Sequence, residues 1–530
     1  MKNNVTKQQS LQEGALILIL TAVLTKLIGA LFKIPLSSDI ALGDLGFGYF
    51  SAVYDLFMPI STLAISGVPV AISYFISKYV AQKQYENVGQ VLRLSKKILV
   101  IISLCGFCLL IVLAYPFVKF TDPTGKVLYG YIAILPTVFL CSVTSLYRGY
   151  FEGFLNMKPT AVSSLIDALG KLIIGFLFAI VTVKVKKDVA LASAAALLGI
   201  TIATLLSAAY IYFKYKRHSS SYDFKLYSEN KDKKLSKALL VMIITVSVSS
   251  LASSIVSLVD TLSVRTLLSL SIKDNPDFFK NEYSLLLKET SLDELPTVLY
   301  GIKSKAHTLF NIAITLSMAL GVSVVPNLSK WEANSKEAYK TVNTALRITS
   351  LISFPVSLGF LTLSGRIMSL LFGEGFSSVL GGKMLAIYGI ASLFAGFSVI
   401  LGNILQSFNS HVAVVRNILI ATLVKVLLNL FLTVNSISVL GCVYSTLAFY
   451  VVVCLLNLLE YSIKFSKKAL KGIAFKPLIS AVICCASALA FSKISESKLI
   501  TLVSIIIAAI VYFAILVLMR FFKKEDFMKL

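Results

Sequence analysis

The chain has 530 residues, of which 57% are hydrophobic and 14% are charged, and its mean hydropathy is +0.84. This composition excludes a soluble globular domain and predicts an integral membrane protein. The net charge is +24, but Lys and Arg cluster in short loops, which suits membrane topology and anionic lipid and argues against nucleic acid as a partner.

The first apolar run follows about fourteen polar residues and has no small-residue cleavage site after it. It therefore predicts a first transmembrane helix rather than a removed signal peptide. A helix needs about 20 apolar residues to cross a bilayer. By that rule the chain has about fourteen spans, from residues 13–36 to residues 499–521, with the sixth at residues 188–213 and the eighth at residues 301–326.

Lysine and arginine counts predict the orientation. With the N-terminus inside, about 31 fall on the inner side and about 14 on the outer side, and five lie within spans. Both termini are then expected in the cytoplasm. Seven cysteines all lie in apolar runs, so we expect no disulfide framework and no metal site.

An internal repeat relates residues 254 positions apart. "LIDALGKLIIG" contains Lys171 and "LIATLVKVLLN" contains Lys425 in the same register, and Gly67 matches Gly321. Phe154 and Phe408 agree on the same offset. The repeat predicts an all-α membrane fold with two six-helix lobes of equal topology. The predicted domains are residues 1–235, residues 236–465 and an extra helix pair at residues 466–530.

The first spans of the two halves align differently, with Lys33 opposite Arg265. The second half therefore carries about 22 extra residues in an outer loop at residues 273–296. This segment is acidic and partly amphipathic, so a surface helix, a lid or a substrate gate is expected there.

Five cations lie within predicted spans: Lys26, Lys33, Lys171, Arg265 and Lys425. Each costs at least about 2.5–3.5 kcal/mol at the bilayer centre. Lys33 lies near a span end and could snorkel to the interface. Local acids could pair with Lys171 and Arg265. Lys26 and Lys425 have no local acid, so we expect them to face a polar cavity.

The acids within spans are fewer, and Asp55 and Asp260 are candidates for ion coupling. Asp167 is expected to pair with Lys171, and Arg148 and Glu152 are expected to lock a loop as a structural pair. Excess positive charge in a transporter cavity favours phosphate or pyrophosphate. The composition does not distinguish a lipid-linked phosphate from a soluble anion as the substrate. His218, His307 and His411 are scattered and are expected to be solvated rather than catalytic.

Three stretches resemble the multidrug/oligosaccharidyl-lipid/polysaccharide exporter superfamily, especially its polysaccharide-export and stage V sporulation protein B-like members. They are "RGYFEGFLNMKPTAVSSLID", "GVPVAISYFISKYV" and "ALILILTAVLTKLIGALFKIP". The resemblance implies fourteen helices in two lobes with a terminal pair. It also implies cationic cavity residues from the first, second and eighth spans. Lys26 and Lys33 match in kind, the second span has no arginine, and the eighth has Lys303, Lys305 and His307 near its start.

These observations predict a transporter that flips lipid II or another undecaprenyl-pyrophosphate sugar across the cytoplasmic membrane by alternating access. No Walker-type nucleotide motif is present, so membrane potential, H⁺ or Na⁺ is the expected energy source, without a cofactor. The expected partners are this lipid-linked glycan, membrane lipid and cell-wall synthesis proteins, with the chain itself a monomer. The alternatives are a cation-coupled drug antiporter of the same superfamily and a membrane glycan polymerase or acyltransferase.

Overall fold

The structure is a computed structural model. It describes residues 11–121, 124–220, 233–288, 290–328, 335–408, 410–434, 438–464, 475–492, 495, 497–519 and 521. All regular structure in these residues is helical, which confirms the all-α fold class. The two chain termini, on which the orientation prediction also bears, lie outside the described residues.

The chain divides into two compact units, of which the first comprises residues 1–36 and 40–262. Its helices are α1 (Leu11–Leu36), α2 (Gly43–Ala81), α3 (Tyr85–Thr121), α4 (Val127–Ile134), α5 (Thr137–Gly153), α6 (Lys158–Gly170), α7 (Phe176–Lys186) and α8 (Val189–Ser219). Pro136 stands between α4 and α5, where the missing N–H and the fixed φ of proline favour a helix start. Apolar side chains of α2, α3, α5 and α8 form one core.

The second unit comprises residues 37–39 and 263–530, and α9 (Lys233–Asp274) runs from the first unit into it. Its other helices are α10 (Pro276–Glu282), α11 (Leu295–Leu328), α12 (Lys336–Phe372), α13 (Phe376–Ser407), α14 (His411–Val434), α15 (Val439–Lys464), α16 (Phe475–Ser492) and α17 (Lys498–Leu518). One core joins α11 to α15, and another fastens α16 and α17 to α12.

The same helix pairings recur inside the two units. In the first unit α2 packs on α3 and α5, and α8 packs on α5, α6 and α7. In the second unit α11 packs on α12 and α13, and α15 packs on α13 and α14. This agreement supports the sequence repeat. The predicted domain boundaries at residues 235 and 465 remain predictions, because a division into compact units does not show where each repeated unit begins and ends.

Within the described residues, 11 helical segments are long and apolar enough to cross a membrane. The helices α1, α9 and α11 are not among these segments, although they have 26, 42 and 34 residues. Each exceeds the length of about 20 residues that a span requires. The chain is therefore a multi-pass membrane protein, whereas a count of exactly fourteen spans is not confirmed.

A five-residue π-helical segment, Lys171–Gly175, joins α6 to α7. Gly175 meets Gly199 of α8 so closely that a Cβ on Gly199 would lie 2.5 Å from the Gly175 Cα. Glycine at both positions thus lets two backbones touch where a side chain would separate them. π-Helical turns inside α-helices occur frequently at functional sites.

The extra loop at residues 273–296 is built as a small cap on the second unit. It contains α10 and a 3₁₀ turn at Leu286–Lys288. Phe279 and Tyr283 are buried, and the Tyr283 hydroxyl donates a hydrogen bond to Ser438 Oγ at 3.0 Å. Burial raises the pKa of the Tyr283 hydroxyl, so it stays a neutral donor at physiological pH. The expected surface helix is present, while a gating role stays a prediction.

Candidate functional site: buried cations in each unit

Lys171 and Asp167 form an ion pair on one face of the α6 helix and its π-helical extension. Lys171 Nζ lies 2.7 Å from Asp167 Oδ2, and both side chains are mostly buried. Thr204 of α8 donates to the other carboxylate oxygen at 2.9 Å. The spacing of four residues brings the charges together on a helix. The local pair anticipated from sequence is therefore formed, and a third residue holds it.

Arg148 joins three helices of the first unit. Its Nε and Nη2 donate to Ser163 Oγ at 3.1 Å each, and Nη2 also donates to Ser207 Oγ at 3.3 Å. The two hydroxyl oxygens lie 2.9 Å apart. The charges of Arg148 and Glu152 attract each other, but no contact within 4 Å joins them among the described residues, and the hydrogen bonds of the guanidinium go to hydroxyls of α6 and α8. Their role as a structural pair remains a prediction.

The two lysines of α1 differ in their surroundings. Lys26 is exposed on the surface of the first unit. Lys33 is half-buried, and its Nζ lies 4.7 Å from the centroid of the Tyr54 ring, a cation–π contact. Asp55, the next residue along α2, is also half-buried. Their assignment to substrate binding and ion coupling remains a prediction.

Arg265 and Lys425 are fully buried within the second unit. Arg265 Nη2 donates to Thr297 of α11 at 2.7 Å, and Lys425 Nζ donates to Thr446 of α15 at 2.6 Å. The expected exposure of Lys425 to an open cavity is not seen, because α15 covers the amine with a hydroxyl. Asp260 is buried in the part of α9 that belongs to the first unit.

The second unit has its own version of the Arg148 cluster. Gly402 stands 254 residues after Arg148, and Asn417 stands 254 residues after Ser163. Asn417 Nδ2 donates to Asn457 of α15 at 3.0 Å, and Asn457 donates to the Ser398 carbonyl at 3.2 Å. A Cβ on Gly402 would lie 3.6 Å from the Asn457 amide nitrogen. Asn417 Oδ1 also accepts from Arg416 Nη2 at 3.3 Å, and Asn457 corresponds at the same offset to Ala203, so the second unit joins its helices here with a different set of polar residues.

Lys303 and Lys305 are buried. From the sequence they were expected near the start of the eighth span, and they were not chosen as candidate binding residues. Both are only 2% exposed. Lys303 Nζ lies 5.2 Å from the Tyr300 ring centroid, and Lys305 Nζ lies 5.5 Å from that of Phe372. Helix α11 begins at Leu295, earlier than the expected start at residue 301, so both lysines lie within the packed helix.

Two histidines that were expected to be solvated are half-buried. His218 Nδ1 lies 2.8 Å from the Tyr150 hydroxyl, and its ring packs against Phe151 and Phe154. His307 packs against Tyr388 and lies 3.2 Å from the Asn311 amide nitrogen. Helix α8 continues to Ser219, which carries His218 into the packed aromatic cluster instead of a loop. His411 is exposed, as expected.

The second unit therefore concentrates four cations whose side chains are at most 2% exposed: Arg265, Lys303, Lys305 and Lys425. Buried cations in membrane helices are costly and usually serve substrate or ion pathways. Ammonium and guanidinium groups bind phosphate oxygens with charge-assisted hydrogen bonds. The chemistry of this set suits an anionic ligand.

Comparisons with known proteins agree with this picture. A family model described as "Polysaccharide biosynthesis protein" matches residues 11–274, and one described as "Lipid II flippase MurJ" matches residues 303–523. Stage V sporulation protein B of Bacillus subtilis is 25% identical, over 98% of this chain and 97% of its own.

Solved structures show a similar fold. A structure of lipid II flippase MurJ in an inward closed conformation matches with a TM-score of 0.70 at 13% identity, over 95% of this chain and 99% of the other. An inward-facing multidrug resistance transporter of the MATE family matches with a TM-score of 0.64 at 14% identity, over 85% of this chain and 98% of the other. The sequence resemblance is confirmed, and so is the prediction of a transporter rather than an enzyme. In sequence and in fold, the chain is therefore similar to members of the multidrug/oligosaccharidyl-lipid/polysaccharide exporter superfamily.

Proposed function

We propose that this protein is a flippase that moves a lipid-linked oligosaccharide precursor, lipid II or a related undecaprenyl-pyrophosphate sugar, across the bacterial cytoplasmic membrane. The observation that carries the proposal is the set of four buried cations in the second unit, within a fold that resembles lipid II flippase MurJ. A diphosphate presents several anionic oxygens, which lysine and arginine bind as charge-assisted acceptors. The polyprenyl tail would stay in the lipid.

The proposed cycle is alternating access, in which conformations of different ligand affinity exchange during transport. Lys26, Lys33, Lys171, Arg265 and Lys425 are the proposed substrate-binding cations, and burial adds Lys303 and Lys305 to them. Lys425 would release Thr446 when it binds the headgroup. Asp55 and Asp260 are proposed for coupling to H⁺ or Na⁺, with membrane potential as the other energy source.

The proposal also includes cytoplasmic termini and a monomeric protein that delivers its substrate to cell-wall synthesis proteins. The matches to relatives in polysaccharide biosynthesis and sporulation support a role in peptidoglycan or polysaccharide synthesis.

The test is translocation by the purified full chain in liposomes with nitrobenzoxadiazole-labelled lipid II, whose outer-leaflet fraction is bleached by dithionite. We expect K26M and K425M each to reduce the flipping rate at least about tenfold, equivalent to about 1.4 kcal/mol in the barrier. Methionine keeps a long, unbranched side chain at both positions, and for the buried Lys425 it replaces a buried charge with a hydrophobe of similar volume, which often leaves stability unchanged or increased. K383M, which alters an exposed lysine of α13, is the matched control.

Four results would contradict the proposal. Wild-type protein that moves no labelled lipid II would exclude this substrate, and unchanged rates in both lysine variants would exclude those cations from binding. Ethidium export driven by an ion gradient would favour the drug antiporter. Formation of a glycan or acyl product without a gradient would favour an enzyme.

A further inference from the structure

A polar pocket of about 370 Å³ lies in the second unit where α12 ends and α13 and α17 begin. Arg366 of α12, Glu374 of the following turn, and Lys498 of α17 contribute its charged lining. Ligand pockets in proteins commonly have volumes of about 300–1,000 Å³. Its lining does not include the buried lysines or Arg265, and its interpretation does not depend on the proposed flippase activity.

The described lining has two cations and one anion, so it attracts a ligand with a single negative charge. Arg366 Nη1 donates to the Ser495 carbonyl at 2.9 Å, which fixes the plane of the guanidinium. A guanidinium has five N–H donors in a planar fork, so further donors remain for a ligand. That fork matches the paired oxygens of a phosphate.

The pocket is specific to the second unit. The residues 254 positions before Arg366 and Glu374 are Val112 and Phe120, which carry no charge. Lys498 belongs to the helix pair that lies outside the repeat. The charged residues of this pocket are therefore absent from the matching positions of the first half of the repeat.

Glycine keeps the pocket open. Gly365 and Gly375 both line it, and a Cβ added to either would meet no atom within 4 Å. Apolar surface adjoins the charged lining, because the lining residue Val379 is 60% exposed and Leu499, which follows Lys498 in the chain, is 76% exposed. In a membrane protein such exposed side chains contact acyl chains. A charged interior with adjoining apolar surface fits a ligand that has an anionic head and a hydrocarbon tail.

We propose that this pocket binds the phosphodiester headgroup of an anionic glycerophospholipid from the membrane leaflet at the C-terminal end of α12. Arg366 and Lys498 hold the phosphate, and Glu374 accepts hydrogen bonds from headgroup hydroxyls. The bound lipid joins the extra helix pair to α12 and α13 at this end.

The test measures lipid binding to the purified full chain in detergent by native mass spectrometry. Phosphatidylglycerol is the anionic probe, phosphatidylcholine the zwitterionic probe, and inorganic phosphate the free anion. We expect wild-type protein to prefer phosphatidylglycerol, and R366A/K498A to bind it about tenfold more weakly. K383A, which removes an exposed cation outside the pocket lining, should bind as the wild type does.

A second variant separates the site from general charge effects. Gly365→Leu keeps every charge, fills the pocket, and improves helix propensity by about 1 kcal/mol, so the protein should fold. It should weaken phosphatidylglycerol binding as much as the double alanine variant does. Unchanged preference in either variant overturns the proposal. Equal occupancy by inorganic phosphate at the same free concentration also overturns it, because the ligand would then be a free anion.

Discussion

Asp167 and Lys425 differ in how far their contact partners can be predicted from the sequence. The Asp167–Lys171 pair could be predicted because both residues lie on one helix face, four positions apart. The partner of Lys425, Thr446, lies on another helix and depends on the tertiary arrangement. Burial of Lys303 and Lys305 likewise could not be predicted, because it depends on where α11 begins and on what packs against it.

The first residue-scale prediction concerns the Asp167–Lys171 pair. D167N should destabilise the protein by about 1–3 kcal/mol, because it leaves a mostly buried ammonium without its counter-charge. The measurement is the midpoint of thermal unfolding in detergent.

The double variant D167N/K171M provides the comparison. It should be more stable than D167N, since the ammonium itself is gone and burial of an apolar side chain has no such penalty. A double variant that is less stable than D167N would contradict this account of the pair.

A second residue-scale prediction concerns the hydroxyl that covers Lys425. T446V preserves side-chain shape but removes the acceptor 2.6 Å from the amine, so it should cost about 1–3 kcal/mol of stability. T422V, whose hydroxyl bonds only to the Ile418 carbonyl of its own helix, should have a smaller effect. Equal losses of thermal stability in the two variants would show that the Lys425 contact is unimportant for stability.

At the scale of elements, hydropathy locates helices well and their ends poorly. Helix α8 extends to Ser219 although its apolar run ends near residue 213, because aromatic packing on α5 continues beyond the bilayer. Helix α11 starts six residues before its expected start. The π-helical turn could not be predicted, since it depends on the close approach of Gly175 and Gly199.

The element-scale prediction tests that approach. Gly199→Ala should destabilise the first unit by about 1–3 kcal/mol, because a Cβ 2.5 Å from the Gly175 Cα forces two backbones apart. Gly359→Ala in α12 is the matched control, since its Cβ would meet no atom within 4 Å, and it should be neutral or stabilising. Thermal unfolding of both variants measures the difference, and similar midpoints would show that the contact can relax.

At the scale of the whole molecule, the internal repeat predicted more of the helix packing than any other feature of the sequence. One offset of 254 residues, read from a few matched residues, anticipated the helix pairings found in each unit. The repeat could not predict which polar side chains would form hydrogen bonds between the helices of each unit, because these bonds depend on the tertiary packing. The Arg148 cluster and the Asn417–Asn457 pair are the clearest examples.

The whole-molecule prediction concerns orientation. In a variant lacking native cysteines, K280C in the α10 loop should react with a membrane-impermeant maleimide in intact cells. K216C at the end of α8 should react only after the membrane is permeabilised. The reverse pattern would invert the topology, and labelling of both sites in intact cells would show that the cells leak.

Polar contacts therefore join helices at this point of the fold in both units, through the guanidinium of Arg148 in the first and through Asn417, Asn457 and the neighbouring Arg416 in the second. The second copy has Gly402 and an asparagine pair where the first has a guanidinium. A repeated unit can thus keep its helix pairings while the side chains that bond its helices are exchanged for others.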